Sequence, residues 1–208
     1  MTPPPPIVYI VDDDASVRKS LTRLVTAAGY RIHAFASARE YLAREPATGP
    51  SCLVLDVRMP GLTGLDLQKA LAGEQHRPAI VFITGHGDIA MSVTAMKAGA
   101  VDFLTKPFAG KDLLDAIQRG LARDTRDLST EARVAEIRER MTLLTPRETE
   151  VFALVVTGML NKQIASELGI GEKTVKVHRA RVMEKMRAGS VAELVRLADG
   201  VGVIVPRT

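Results

Sequence analysis

Tryptophan is absent from this 208-residue chain, aromatic residues make up only 4% of it, and there is a single cysteine. A lone cysteine excludes an internal disulfide. Its setting in "SCLVLD" places Cys52 in a core strand as a small apolar residue rather than a catalytic thiol. No apolar run approaches the roughly 18–20 residues needed to cross a bilayer. The opening "MTPPPPIVYIV" has no basic region, apolar stretch and cleavage site, so no secretory signal is expected, and its prolines read as a stiff, solvated lead-in. A cytoplasmic location and no membrane partner are the expectations. The loop "GxxxxGK[ST]" is missing too, which argues against a nucleotide-hydrolysing enzyme.

Charge of one sign is also scarce over most of the chain. Residues 1–124 carry 14 Lys and Arg against 13 Asp and Glu, whereas residues 141–208 carry 10 against 7. The stretch "EKTVKVHRARVMEKMR" (172–187) holds seven basic side chains, counting His178, against two acidic ones. One basic helix on a balanced protein points to a partner with regularly spaced phosphates.

From residue 7 to about 121, short apolar runs ("IVYIV", "YRIHAF", "SCLVLDV", "PAIVFIT", "VDFLT") alternate with stretches of helical period. Val17, Leu21, Leu24 and Ala28 recur at that period, as do Leu65 and Leu71, then Ile89, Val93 and Met96. "SARE" (37–40) reads as a capping box, and Gly29 and Gly99 stand where helices should stop. Five strands alternating with five helices predict an α/β, doubly wound, five-stranded parallel sheet covered on both faces. Functional groups in such sheets lie beyond the carboxyl ends of the strands. The charged segment 121–141 either continues the fifth helix or acts as a tether. Beyond it, Thr145, Pro146 and Glu148 open a capped helix, "NKQIASELGI" ends at Gly169, and a basic helix and a last capped helix follow. This is a small all-α, four-helix domain containing a helix-turn-helix.

"IVYIVDDDASVR" drives a buried strand into Asp12, Asp13 and Asp14, and adjacent carboxylates raise one another's pKa unless a positive charge sits among them. The third strand ends at Asp56, the fourth at Thr84, and Lys106 follows the fifth. Three carboxylates, a hydroxyl and an ammonium at one sheet edge suit a hard cation with oxygen ligands, Mg²⁺ first among them. Mg²⁺ leaves room for a phosphate, whose charge Lys106 and Thr84 would meet. Asp56 is then the candidate nucleophile, since a carboxylate can form an acyl phosphate.

The motifs "VDDD", "LDVRMPG", "ITGHGD", "KAGAVDF" and "KPF", in this order, resemble the receiver domain of two-component response regulators, a flavodoxin-like fold. "LTPRETEV", "NKQIASELGI" and "KTVKVHRARVMEKM" resemble the LuxR-type DNA-binding domain of the FixJ/NarL family. The resemblance implies a receiver over 6–121, a charged helical linker over 122–141 and a DNA-binding domain over 142–208. It implies Asp56 as phosphoacceptor, Mg²⁺ on Asp13, Asp56 and the backbone carbonyl of Arg58, and Asp12 acting through water. Thr84 and Phe103 would be the switch pair, and the Lys106–Pro107 peptide is expected to be cis. Asp14 is either part of the site or a loop or cap residue. His86 reads as a loop residue beside the pocket, able with Arg58 to tune phosphoryl loss. The implied partners are a sensor histidine kinase, double-stranded DNA, a second copy of the chain through residues 88–108, and RNA polymerase.

At about 100° per residue, Val175, Val182 and Met186 share the inner face of the basic helix. Lys173, Lys176, Val177, Ala180 and Arg181 lie opposite, offering cations for phosphates or guanine edges and small apolar groups for thymine methyls. By resemblance, Lys176 and Val177 occupy base-contacting positions, and Ala180 stands where some relatives carry lysine. Gly171 replaces the usual Ser or Thr at the helix start. His178 and Arg179 flank this face as phosphate contacts. The function expected is a phosphorylation-activated DNA-binding transcriptional regulator, not an enzyme beyond its own phosphorylation and dephosphorylation. Two alternatives compete. One is a receiver-regulated DNA-binding protein working without phosphorylation. The other is an aspartyl-phosphate phosphatase, against which stands Arg58, where haloacid-dehalogenase-type enzymes need a second acid.

Overall fold

The computed structural model describes residues 4–74, 76–85 and 89–202. Strands β1 (Ile7–Val11), β2 (Arg31–Phe35), β3 (Ser51–Asp56), β4 (Ala79–Thr84) and β5 (Asp102–Thr105) form one parallel sheet in the order β2-β1-β3-β4-β5. The inner strands β3 and β4 are buried along their whole length, as unbroken Val/Ile/Leu runs must be when helices cover both faces. Strands β2 and β5 are the edges. β2 is largely exposed, with Arg31 and His33 turned outward, and β5 has four residues.

The period of two along each strand divides the core. Val8, Ile10, Cys52, Val54, Val81 and Ile83 pack on one face with Leu21 and Val25 of α1 (Ala15–Ala27) and Leu113 and Ile117 of α5 (Gly110–Thr142). Tyr9, Val11, Leu53, Leu55 and Phe82 pack on the other with α2 (Ala38–Leu42), α3 (Gly64–Leu71) and α4 (Ile89–Lys97), through Tyr41, Leu67, Leu71 and Ala95. Each buried Val, Leu, Ile or Phe among them contributes about 1.5–3 kcal/mol over its exposed state. Cys52 is fully buried, and that burial pushes its thiol pKa up. A methyl group at Gly120 would come within 2.9 Å of Cys52 Sγ, so α5 lies close against β3.

The structure shows which face each periodic stripe takes, and one expectation, the capping box at "SARE", changes. Ile89, Val93 and Met96 do not face the core: they are 82%, 45% and 44% exposed, and Ala95 is the buried residue of α4. In α3 the buried stripe is Leu67, Gln68 and Leu71, while Leu65 is half-buried. At "SARE", Ser37 caps the Glu40 N–H, but Glu40 returns to the N–H of Ala36, not Ser37. Positive φ at Gly29 and Gly99 ends α1 and α4 as expected.

The chain divides into two units after Ser129, inside α5. The segment left open between helix and tether is helical through Thr142. No residue from 125 to 136 is buried, whereas Ile137 belongs to the core of the second unit.

In that unit, α6 (Pro146–Val156), α7 (Asn161–Leu168), α8 (Glu172–Lys185) and α9 (Val191–Gly200) enclose Phe152, Ile164, Val175, Val182, Met186 and Leu194. Thr145 and Glu148 form a full capping box with Pro146 at the start of α6. Gly169, at φ 64°, ends α7 in a left-handed conformation that costs glycine little, and Gly171 is the uncapped N-cap of α8. Among the described residues, no helix is long and apolar enough to cross a membrane.

Candidate functional site

Strand register brings two carboxylates together. β1 pairs with β3 from Ile7↔Ser51 to Val11↔Leu55, so Asp12 and Asp56 are the next residues in step on adjacent strands. Both are buried, at 1% and 5% exposure. Alternation turns Asp13 into solvent, and Asp14 caps α1 by accepting from the N–H groups of Ser16 and Val17. Three adjacent acids therefore have three different settings.

The positive charge that Asp12 and Asp56 require comes from Lys106. Its Nζ donates to Asp12 Oδ2 at 2.7 Å and to Asp56 Oδ1 at 2.9 Å. The second oxygen of each acid meets backbone: Asp12 Oδ1 accepts from Asp14 N, and Asp56 Oδ2 from Arg58 N. Burial pushes the Asp56 pKa up, and Lys106 offsets part of that rise. Burial opposes the charge on Lys106, but the two carboxylates outweigh it and raise its pKa.

Lys106 N donates to the Thr84 carbonyl, which fixes the exit of β5 against the end of β4, and the Lys106–Pro107 bond is cis. Thr84 is buried; Phe103 is half-buried with its ring 6.2 Å from Phe82; Pro107 and Arg58 are exposed. A methyl group at Gly64 would come within 2.3 Å of the Asp56 carbonyl oxygen. Only glycine lets the start of α3 approach the Asp56 peptide this closely, with Gly64 N donating to Val57 O at 3.0 Å. His86 lies outside the described residues.

No group of three or more His, Cys, Asp or Glu among the described residues has the arrangement of a metal cage. Mg²⁺ does not need one, because it is usually held by one or two carboxylates and several waters. The donors here are hard oxygens, and the single Lys106 charge between two buried carboxylates leaves negative charge over, so the chemistry of the set fits such an ion.

In the second unit, Val175, Val182 and Met186 are fully buried beneath α8. Lys173, Lys176, Val177, Ala180 and Arg181 are exposed on its other side, Val177 at 47%. His178 is half-buried, and Arg179 Nη1 donates to Asn161 Oδ1 at 3.0 Å, tying α8 to the first residue of α7. α7 has no side-chain cap: the Leu160 side chain has no acceptor, although its N–H donates to Gln163 Oε1 and its carbonyl accepts from the N–H groups of Gln163 and Ile164.

Glu148, buried at the start of α6, accepts from Lys185 Nζ at 2.6 Å. That bond, with the Thr145 N–H, pulls its pKa down to about 2. An acid depressed on folding adds stability that is fully present above its unfolded value near ~4.3 and is lost as pH falls through the folded value. Glu148→Gln is therefore expected to flatten the acid limb of the second unit's thermal midpoint between pH 4.5 and 2, measured by circular dichroism. An unchanged limb would refute this.

Sequence reading missed the contacts made across distance. The Asn161–Arg179 bond spans 18 residues and the Glu148–Lys185 pair 37, beyond any local pattern. Only the abundance of cations in 172–187 hinted that some of them serve the fold.

A sheet of this order with an acid–lysine cluster at its carboxyl edge, followed by a basic helix in a small helical unit, defines a doubly wound α/β domain joined to a helix-turn-helix. Residues 8–118 match the response regulator receiver domain, and residues 142–198 match the luxR family of bacterial regulatory proteins. Nodulation protein W of Bradyrhizobium diazoefficiens is 50% identical, over 97% of this chain and 89% of that one. The transcriptional regulatory protein FixJ of the same organism is 42% identical, over 95% and 96%. The solved structure of the response regulator StyR superposes with a TM-score of 0.83 at 45% identity, covering 94% of this chain and 99% of that one. The chain belongs to the two-component response regulators that carry a LuxR-type DNA-binding domain.

Proposed function

We propose that this regulator is switched by a phosphoryl group on Asp56 and that the switch governs promoter binding by α8. The observation that carries this reading is the Lys106 ammonium shared between Asp12 and Asp56 at the strand ends. In the transfer, the bond from phosphorus to the donor histidine of a sensor kinase breaks as one forms to an Asp56 carboxylate oxygen. Asp13, Asp56 and the Arg58 carbonyl, with Asp12 through water, would hold Mg²⁺, which supplies charge neutralisation on the phosphoryl oxygens. Lys106 pairs with a phosphoryl oxygen, and the Thr84 hydroxyl turns toward it. Phe103 then moves into the space this leaves.

The receiver is assigned to residues 6–121, the helical linker to 122–141 and the DNA-binding domain to 142–208. Phosphorylation adds about two negative charges and favours a dimer. The apolar face of Ile89, Val93 and Met96 supports a dimer surface along residues 88–108. A dimer presents two α8 helices to a two-fold operator, where Lys176 and Val177 read bases while Lys173, Ala180 and Arg181 complete the contact. His178 and Arg179 flank it, and RNA polymerase is the downstream partner.

Light scattering tests this. Acetyl phosphate with Mg²⁺ is expected to double the mass of the wild type, and the dimer to bind duplex DNA with a salt slope that falls by about 0.9 in Lys173→Ala or Arg181→Ala. A monomer after phosphorylation, or an unchanged slope in both variants, would count against the reading.

A further inference from the structure

The carboxyl ends of α5 and α8 are joined by two cationic bonds running in opposite directions. Arg140, in the last turn of α5, donates from Nη1 to the carbonyl of Met186 at 3.2 Å. Met186 is the C-cap of α8, and Arg187 follows at φ 52°, so the chain turns away and leaves that carbonyl without a partner in its own helix. In return, Lys185 Nζ donates at 3.0 Å to the carbonyl of Leu143, the residue after α5 ends. Each helix thus supplies the cation that satisfies an orphan carbonyl at the other's end, where the helix dipole also favours positive charge.

Both cations are held from behind. Glu136, one turn earlier on α5, pairs with Arg140, and buried Glu148 pairs with Lys185. Ile137, at 3% exposure, seats the same turn of α5 in the core that Val182 and Met186 line. The exposed residues assigned to DNA run from Lys173 to Arg181, so the paired ends lie outside the reading face.

We infer that Arg140 and Lys185 form a reciprocal latch through which the last turn of α5 sets the aim of α8, an inference that rests on α8 being the DNA-reading helix. Arg140 is in this sense a positioning residue: it touches no base or phosphate and acts through the Met186 carbonyl.

The test uses the full chain and a 30-base-pair duplex recovered by the wild type from a randomised pool, with and without acetyl phosphate and Mg²⁺. Arg140→Met keeps the aliphatic stem and removes the guanidinium. It is expected to weaken the selected duplex about tenfold, as losing one charge-assisted bond implies. Affinity for an unselected duplex and the salt slope should not change, and Arg140→Lys should restore part of the loss. Equal affinity for the selected duplex would overturn the latch. So would an equal loss on both duplexes with the slope reduced by about 1, the mark of a phosphate contact. If Arg140→Met unfolds the second unit, Glu136→Gln decides: a two- to threefold loss confined to the selected duplex supports the latch, and no loss overturns it. Failure of the wild type to enrich any duplex would refute the DNA-reading assignment itself and the latch with it.

Discussion

Asp56→Asn is expected to take up no phosphoryl group from acetyl phosphate, at any Mg²⁺ concentration, under conditions that label the wild type. The amide keeps the shape of the side chain, and its single oxygen can still accept from either Arg58 N or Lys106, so the pocket should stay folded with one of the two bonds lost. It lacks the carboxylate oxygen that would attack phosphorus, and nucleophilic attack has no substitute in this site. Intact-mass measurement reads the result directly. A full phosphoryl adduct on Asp56→Asn would remove Asp56 from its role, and an adduct on the wild type without Mg²⁺ would remove the ion from its own.

Lys106→Met should produce the largest change in stability. It leaves two buried carboxylates facing each other without a cation, and breaking such a pair costs about 3 kcal/mol. The sign of the pH dependence follows from the raised pKa values. Asp56, held up by burial, contributes stability that is fully present below its unfolded value near ~3.9 and is lost as pH rises through its folded value. Lys106 now limits that loss, so the variant should melt well below the wild type at pH 7 and close to it near pH 3. Lys106 itself is raised, and its contribution persists below ~10.4 and disappears as pH rises beyond it. Mg²⁺ should raise the melting temperature of Lys106→Met more than that of the wild type, since the freed acids gain a divalent partner. A pH-independent difference, or no Mg²⁺ response in the variant, would contradict this account.

The sheet was legible because each strand is a short apolar run and each helix a longer periodic one, a pattern that makes the strands parallel. The helix faces were less so. Ile89, Val93 and Met96 recur at helical spacing, which says that a stripe exists but not what covers it; on α4 it is exposed, and Ala95 meets the core. In α3 the sequence showed Leu65 and Leu71, yet Leu67 joins the sheet core as well, and Gln68 is buried because its Nε2 donates to the Ala95 carbonyl of α4 at 3.1 Å, a contact with no local signal. Segment 121–141 was ambiguous for a related reason: a helix that is polar all round has no period to display.

At the site, the sequence supplied the residue types and the strand ends, while register decided which acid met which. That Asp14 would cap α1 was visible as one option in "DDDAS", since Asp before a helical stretch is a preferred cap. That Asp13 would turn outward depends on the last turn of the backbone pleat. The lysine's position between two acids 94 and 50 residues away is a property of the sheet alone.

The edges of the sheet carry a consequence for handling the protein at high concentration. An open parallel sheet exposes unpaired N–H and C=O groups along its outer strands, and these are templates on which other chains can assemble into aggregates. Here one border is only four residues long and the other carries the outward-facing Arg31 and His33, so neither offers a long apolar ledge for a foreign strand. Fibrillar growth by strand addition is thereby blunted in the native state, and the protein should remain dispersed where a bare edge of Val and Ile would not.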